Sequence, residues 1–85
     1  MSTYYLYLLR SKKDKRLYIG YTSNLKRRIE QHSNGEVIST KGRRPFELLY
    51  YEAYKSEKDG KKREKNLKLF SRAYYGLKKR LINSI

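Results

Sequence analysis

The chain has no cysteine and no tryptophan, a single proline and a single histidine among its 85 residues. Without cysteine there is no disulfide framework and no thiolate metal site, so a reducing, cytoplasmic setting is expected. Long hydrophobic runs are missing too. The longest, "YYLYLL" at 4–9, falls far short of the roughly 20 residues that span a bilayer. The first residues lack the charged region and small-residue cleavage site of a signal peptide, and no membrane partner is expected. Acids are scarce: eight Asp and Glu face 22 Lys and Arg, a net charge of +14 and a pI near 10.1. Such a field attracts polyanions, and nucleic acid is the natural partner. Binding to an anionic membrane surface would normally use a basic amphipathic helix or a lipid anchor. The length specifies one domain over residues 1–85 with a small core.

What the chain has in excess is tyrosine, ten against two phenylalanines. "TYYLYLL" (3–9) and "LYIGYT" (17–22) read as strands around the polar turn "RSKKDKR" (10–16), a hairpin. Ser23 or Asn24 can cap a helix that runs to about His32. "SNGEVISTKGRRP" (33–45) reads as a loop and "FELLYYEAY" (46–54) as a third strand. Ser56 with Asp59 makes a capping box for a helix over about 57–69. Ser71 can cap a last helix in which Tyr74, Leu77 and Leu81 share a face. The fold class is α/β in the α+β sense: a small three-stranded antiparallel sheet flanked by helices, in the order β-β-α-β-α-α.

Placing Tyr7 opposite Tyr18 and Tyr5 opposite Gly20 puts Tyr5, Tyr7, Tyr18 and Gly20 on one face of the hairpin. Leu6, Leu8, Leu17 and Ile19 fall on the other, an aliphatic core face. Gly20 either leaves room for a ligand backbone beside the tyrosines or marks a bulge. On the first helix Leu25 and Ile29 define the buried stripe. Arg28 and His32, four apart, border it, while Lys26 and Arg27 point to solvent. On the second helix Gly60, Glu64 and Leu67 share a face. Glu64 there is either an i, i+4 partner of Lys68 or a ligand for a hard cation such as Mg2+. In the long loop Lys41, Arg43 and Arg44 surround Gly42. They form a phosphate-contacting rim with Thr40 beside them, or else a solvated connector.

The ordered elements "YLY" (5–7), "YIG" (18–20), "NLKRRIEQH" and "KKREKNLK" resemble the GIY-YIG endonucleases. The likeness covers nearly the whole chain. It is closest to the small stand-alone branch similar to the nuclease domain of bacterial excision-repair enzymes, through "YYLYLL", "LYIGYT", "GRRPFELLYYE" and "REKNLK…SRA". Tyr5 stands where the family has the glycine of its first triplet, and neither Asn66 nor Asn83 is assigned to the family's asparagine. The resemblance implies metal-dependent phosphodiester hydrolysis on branched or duplex DNA, in repair or recombination, with Mg2+ or Mn2+ as cofactor. It gives Tyr7, supported by Tyr18, the attacking water, Arg28 the phosphoryl charge, His32 a share of the proton transfer and Glu64 the metal. Gly20, Lys41, Arg43 and Arg44 would meet nucleic acid. One such site cuts one strand per event, which suits a monomer or weak dimer targeted by a partner protein or held at the nucleoid. A non-catalytic nucleic-acid-binding module that keeps the fold is the alternative. Charge alone also suits a basic module working on RNA or a ribosomal partner.

Overall fold

Strand β1 (Tyr4–Ser11) runs up the centre of the sheet, with β2 (Leu17–Thr22) on one side and β3 (Phe46–Tyr54) on the other, both antiparallel to it. The computed structural model describes residues 3–69 together with Gly76 and Lys79. Helix α1 (Leu25–Ser33) follows β2, and α2 (Glu57–Lys68) follows β3. Of the expected last helix, Gly76 and Lys79 are helical, while Ser71, Tyr74, Leu77 and Leu81 lie outside the described residues. Among the described residues no helix is long and apolar enough to cross a membrane.

The caps form as their chemistry dictates. Asn24, rather than Ser23, caps α1, its side chain accepting from Arg27 N at 3.1 Å. Ser56 Oγ accepts from Asp59 N at 3.3 Å at the start of α2. Each bond satisfies a helix-end donor that would otherwise lack a partner.

The hairpin register corrects the expectation. Tyr7 pairs with Gly20 and Leu9 with Tyr18, so β2 sits two residues from the predicted alignment. The cause is the turn. Ser11 stays in β1 and its Oγ accepts from the backbone N of Lys13 and Asp14, each at 3.1 Å, while Ser11 N donates to Arg16 O. Lys15 takes a left-handed backbone, φ 63°, to close the loop. A slip of two keeps side-chain parity. The tyrosyl and aliphatic faces therefore survive the shift.

Leu6, Leu8 and Ile19 of the aliphatic face pack against Leu67 of α2. Gly60 makes that approach feasible, because a Cβ there would lie 2.6 Å from the ring of Tyr21. A second clamp ties α2 to β3. The Glu52 carboxylate accepts from Tyr50 and Tyr54 hydroxyls at 2.6 and 2.5 Å and from Arg63 Nε and Nη2 at 3.0 and 3.1 Å. Burial pushes this carboxyl up, but Arg63 and the two phenols outweigh burial and hold it below its ordinary value. Glu52→Gln puts an amide where Arg63 needs an acceptor and should cost about 2–3 kcal/mol. A urea unfolding midpoint equal to wild type would show the clamp to be idle.

Candidate active site

Tyr7 lies at the middle of the central strand, 1 % exposed. Its ring crosses Gly20 on the neighbouring strand, where a Cβ would stand 2.0 Å from Tyr7 Cζ and 2.2 Å from its hydroxyl. This corrects the reading of Gly20. The glycine makes room for a phenol of the same chain, not for a nucleic-acid backbone. No residue other than glycine fits while Tyr7 keeps this position.

The Tyr7 hydroxyl is 2.8 Å from His32 Nε2, and His32 Nδ1 is 2.8 Å from Thr40 Oγ1. Thr40 Oγ1 in turn donates to Val37 O at 3.4 Å. Those bonds fix a direction. With its own proton on Val37 O, Thr40 accepts from His32 Nδ1–H, which leaves Nε2 bare to accept from Tyr7. Arg28 agrees with this arrangement, because its guanidinium lies against the phenol oxygen and favours lone pairs there. The tautomer is inferred from these partners.

Electrostatics keep both groups neutral at rest. Burial, with Tyr18 and Glu64 adding to it, pushes the Tyr7 phenol up to about 12 against the pull of Arg28. Burial, and then the Arg28 charge, holds His32 down to about 4. Its ring is walled by Tyr18, Tyr7 and Phe46, with ring centres at 5.2, 5.6 and 6.0 Å. A phenol pushed up and an imidazole held down both oppose moving the proton from Tyr7 to His32 at rest. The resting pair is a neutral phenol against a neutral imidazole. The pair can relay a proton only in concert with another bond change.

Arg28 is half-buried and held by Gln31, whose Oε1 accepts from its Nη1 at 3.1 Å. Beyond it opens a groove of about 350 Å3, lined by Tyr21, Thr22, Asn24, Arg27, Arg28 and Gln31. Arg27 is exposed as expected, yet it borders this groove and does not simply face away from it. Glu64 pairs with Lys68 Nζ at 3.0 Å and its charge still reaches Tyr7 and Tyr21. The i, i+4 pairing expected for Glu64 is thus present. Among the described residues no group of three His, Cys, Asp or Glu could cage a metal ion. A lone carboxylate suits Mg2+, which keeps several waters and takes its remaining oxygens from a phosphate.

The long loop corrects two further expectations. Thr40 is fully buried as the second partner of His32 and cannot join a phosphate rim. Arg43 Nε donates to Asp14 Oδ2 at 2.8 Å, and its guanidinium carbon lies 5.7 Å from the Phe46 ring centre. Arg43 is thus tied to the hairpin turn and does not stand free for phosphate. In return, its guanidinium holds the Asp14 carboxyl far below the usual carboxylate range. Lys41 and Arg44 are exposed, and Arg44 Nε donates to Lys41 O at 3.0 Å. Sequence reasoning missed Phe46 as a wall of the site and Thr40 as its anchor. Nothing local marks either, since both meet His32 only through the fold.

A profile of the GIY-YIG catalytic domain matches residues 3–79. A UPF0213 protein of Staphylococcus saprophyticus is 40 % identical over 73 residues, 85 % of this chain and 88 % of that one. A UPF0213 protein of Natronomonas pharaonis is 42 % identical over 71 residues, 82 % of each chain. The solution NMR structure of a UPF0213 protein from Bacillus halodurans superposes with a TM-score of 0.56 at 34 % identity, covering 95 % of this chain and 83 % of that one. The profile spans the tyrosine hairpin, the arginine helix and the glutamate helix together, and the chain belongs to the GIY-YIG family of nuclease-type domains.

Proposed function

We propose that the protein is a metal-dependent DNA endonuclease, selective for DNA structure more than for sequence, of a kind that repair or recombination would use. The observation that carries this reading is the directed chain Tyr7–His32–Thr40 beside Arg28. A purely structural buried tyrosine needs a partner for its hydroxyl, but not a histidine kept neutral with its bare nitrogen aimed at that hydroxyl.

The phosphodiester docks in the groove with Arg28 on a non-bridging oxygen, where positive charge offsets the charge that builds on phosphorus-bound oxygens. As the water oxygen bonds to phosphorus and the P–O bond to the leaving oxygen breaks, the water gives its proton to Tyr7 Oη and Tyr7 passes its own to His32 Nε2. The docked phosphate is an anion, so it makes His32 more basic than it is at rest. Thr40 holds the imidazolium through Nδ1. Tyr18 packs edge-on to His32 and keeps water from that side of the ring. Glu64 would hold one Mg2+ or Mn2+, which would supply positive charge against the charge building on the phosphodiester. One site of this kind nicks one strand. A double-strand break needs two protomers or two encounters.

The test is incubation of purified protein with end-labelled flap, fork and duplex DNA, with Mg2+ or Mn2+ and with chelator. Metal-dependent nicks concentrated near branch points are expected. Binding without cleavage of any substrate would make the protein a nucleic-acid-binding module on a nuclease fold. The two neighbouring arginines separate chemistry from attraction. Arg28→Ala should lower the single-turnover rate by about 10²–10³, the scale of losing one transition-state donor. Arg27→Ala should mainly weaken binding, since it meets the groove but not Tyr7. Equal rate losses in the two variants would overturn the assignment.

A further inference from the structure

One cross-strand row reads Gly20, Tyr7, Tyr51 from β2 through β1 to β3. Residues directly opposite in an antiparallel pair share a face, so Tyr51 lies on the face of the buried Tyr7. Its environment is the reverse. Tyr51 is 52 % exposed, its ring braced edge-on by Tyr5 at 6.1 Å between centres. These two rings, Leu25, Asn24 and Lys26 line a second open groove of about 360 Å3. Ser23 and Asn24 line this groove and the first, so the two flank the start of α1 and share a wall.

We propose that this second groove is a nucleobase platform. An unpaired nucleotide adjoining the phosphate at Arg28 stacks its base on Tyr51, with Lys26 on its own phosphate. The lining chemistry selects that occupant. Two phenols and a leucine offer a face for a flat apolar ring, one exposed lysine offers an anion partner, and no carboxylate intervenes. Stacking on an exposed aromatic with a nearby cation is how single strands are held without sequence readout. A paired base stays in its stack and cannot reach the groove, so the platform admits single-stranded or branched DNA and not continuous duplex. This deepens the proposed function and rests on it only for what lies in the first groove.

The absence of tryptophan makes a direct test available. Tyr51→Trp places the one indole of the protein on the platform, and Leu69→Trp places it instead at the end of α2, on the opposite side of the sheet. Titration with a short oligo(dT) should quench the first and leave the second unchanged. Tyr51→Ala should bind oligo(dT) roughly 5- to 100-fold more weakly while duplex affinity stays within about twofold. Tyr51→Phe keeps the ring and should bind like wild type. Equal quenching at both indoles, or unchanged oligo(dT) affinity in Tyr51→Ala, would overturn the platform. Quenching that follows protein concentration without DNA would make the patch a contact between copies and overturn it as well. None of these readouts needs cleavage. Quenching in a protein that cuts nothing would leave the platform standing and remove the nuclease reading alone.

Discussion

Tyr7→Phe should bind DNA like wild type and cleave it at least about 10³-fold more slowly, the scale of losing a positioned proton-transfer group. The substitution keeps the ring that fills the space over Gly20 and removes no charge. Affinity arises elsewhere. The +14 charge far exceeds what one catalytic site needs, and phosphate contacts carry the salt dependence. A footprint of roughly 4–6 phosphates predicts a slope of about −4 to −5 for log K against log salt, the same for both proteins. His32 Nε2 loses its partner in the variant, which costs about 1–3 kcal/mol of stability, so rates are compared well below the unfolding transition. Single-turnover cleavage beside a salt titration measures both quantities. A variant that cleaves within threefold of wild type would make Tyr7 a packing residue.

Glu64→Ala should abolish metal-dependent cleavage and leave DNA binding intact or slightly tighter. One negative charge leaves the basic face, and Lys68, now without its carboxylate, is freed to meet phosphate. The lost i, i+4 pair costs only about 0.2–0.5 kcal/mol, so the fold should persist. Glu64→Gln isolates the charge at constant size and should be equally inactive. Cleavage at the wild-type rate in either variant would remove the metal from Glu64. The salt-bridge role alone would then account for this residue.

The faces of the hairpin were legible in the sequence because they depend only on alternation. Leu6, Leu8 and Ile19 could form a core on one side and Tyr5, Tyr7 and Tyr18 share the other, in any register that differs from the predicted one by an even number of residues. The register itself was not legible. It turns on Ser11, a polar residue that belongs to the strand because its hydroxyl closes the turn and donates to Arg43 O at 2.6 Å. Arg28 and His32 could be brought together by their i, i+4 spacing, but the buried position of α1 is His32 itself, and Leu25 and Ile29, expected as the buried stripe, are only partly buried. The depth of Tyr7 and His32 could not be read in this way, because Tyr7 lies over Gly20 of the neighbouring strand and His32 is met by Thr40 of the loop over residues 34–45. That loop carries Gly35, Gly42 and Pro45 and no periodicity, so nothing in it announced that Thr40 would be buried or that Arg43 would turn to Asp14. The role of Gly20 was misread for the same reason. A glycine beside tyrosines signals a close approach, and only the register shows that the approaching group is Tyr7.

The proton relay stands on one bond, in which the Tyr7 hydroxyl donates to a bare His32 Nε2. The protein has a single histidine, so its imidazole can be followed without assignment by nitrogen–proton correlation in a ring-labelled sample. The expected result is a neutral ring with the proton on Nδ1 from pH 8 to pH 5, titrating near 4. A folded pKa held below the unfolded value of 6.5 means the unfolded chain binds the proton first. Histidine-linked stability is therefore present above pH 6.5 and is lost as the pH falls toward 4. Tyr7→Phe should leave the Nδ1 proton in place and change the Nε2 shift, because that nitrogen loses its donor. An imidazole that titrates near 6.5, or one that carries its proton on Nε2, would contradict the relay and with it the catalytic reading of the buried tyrosine.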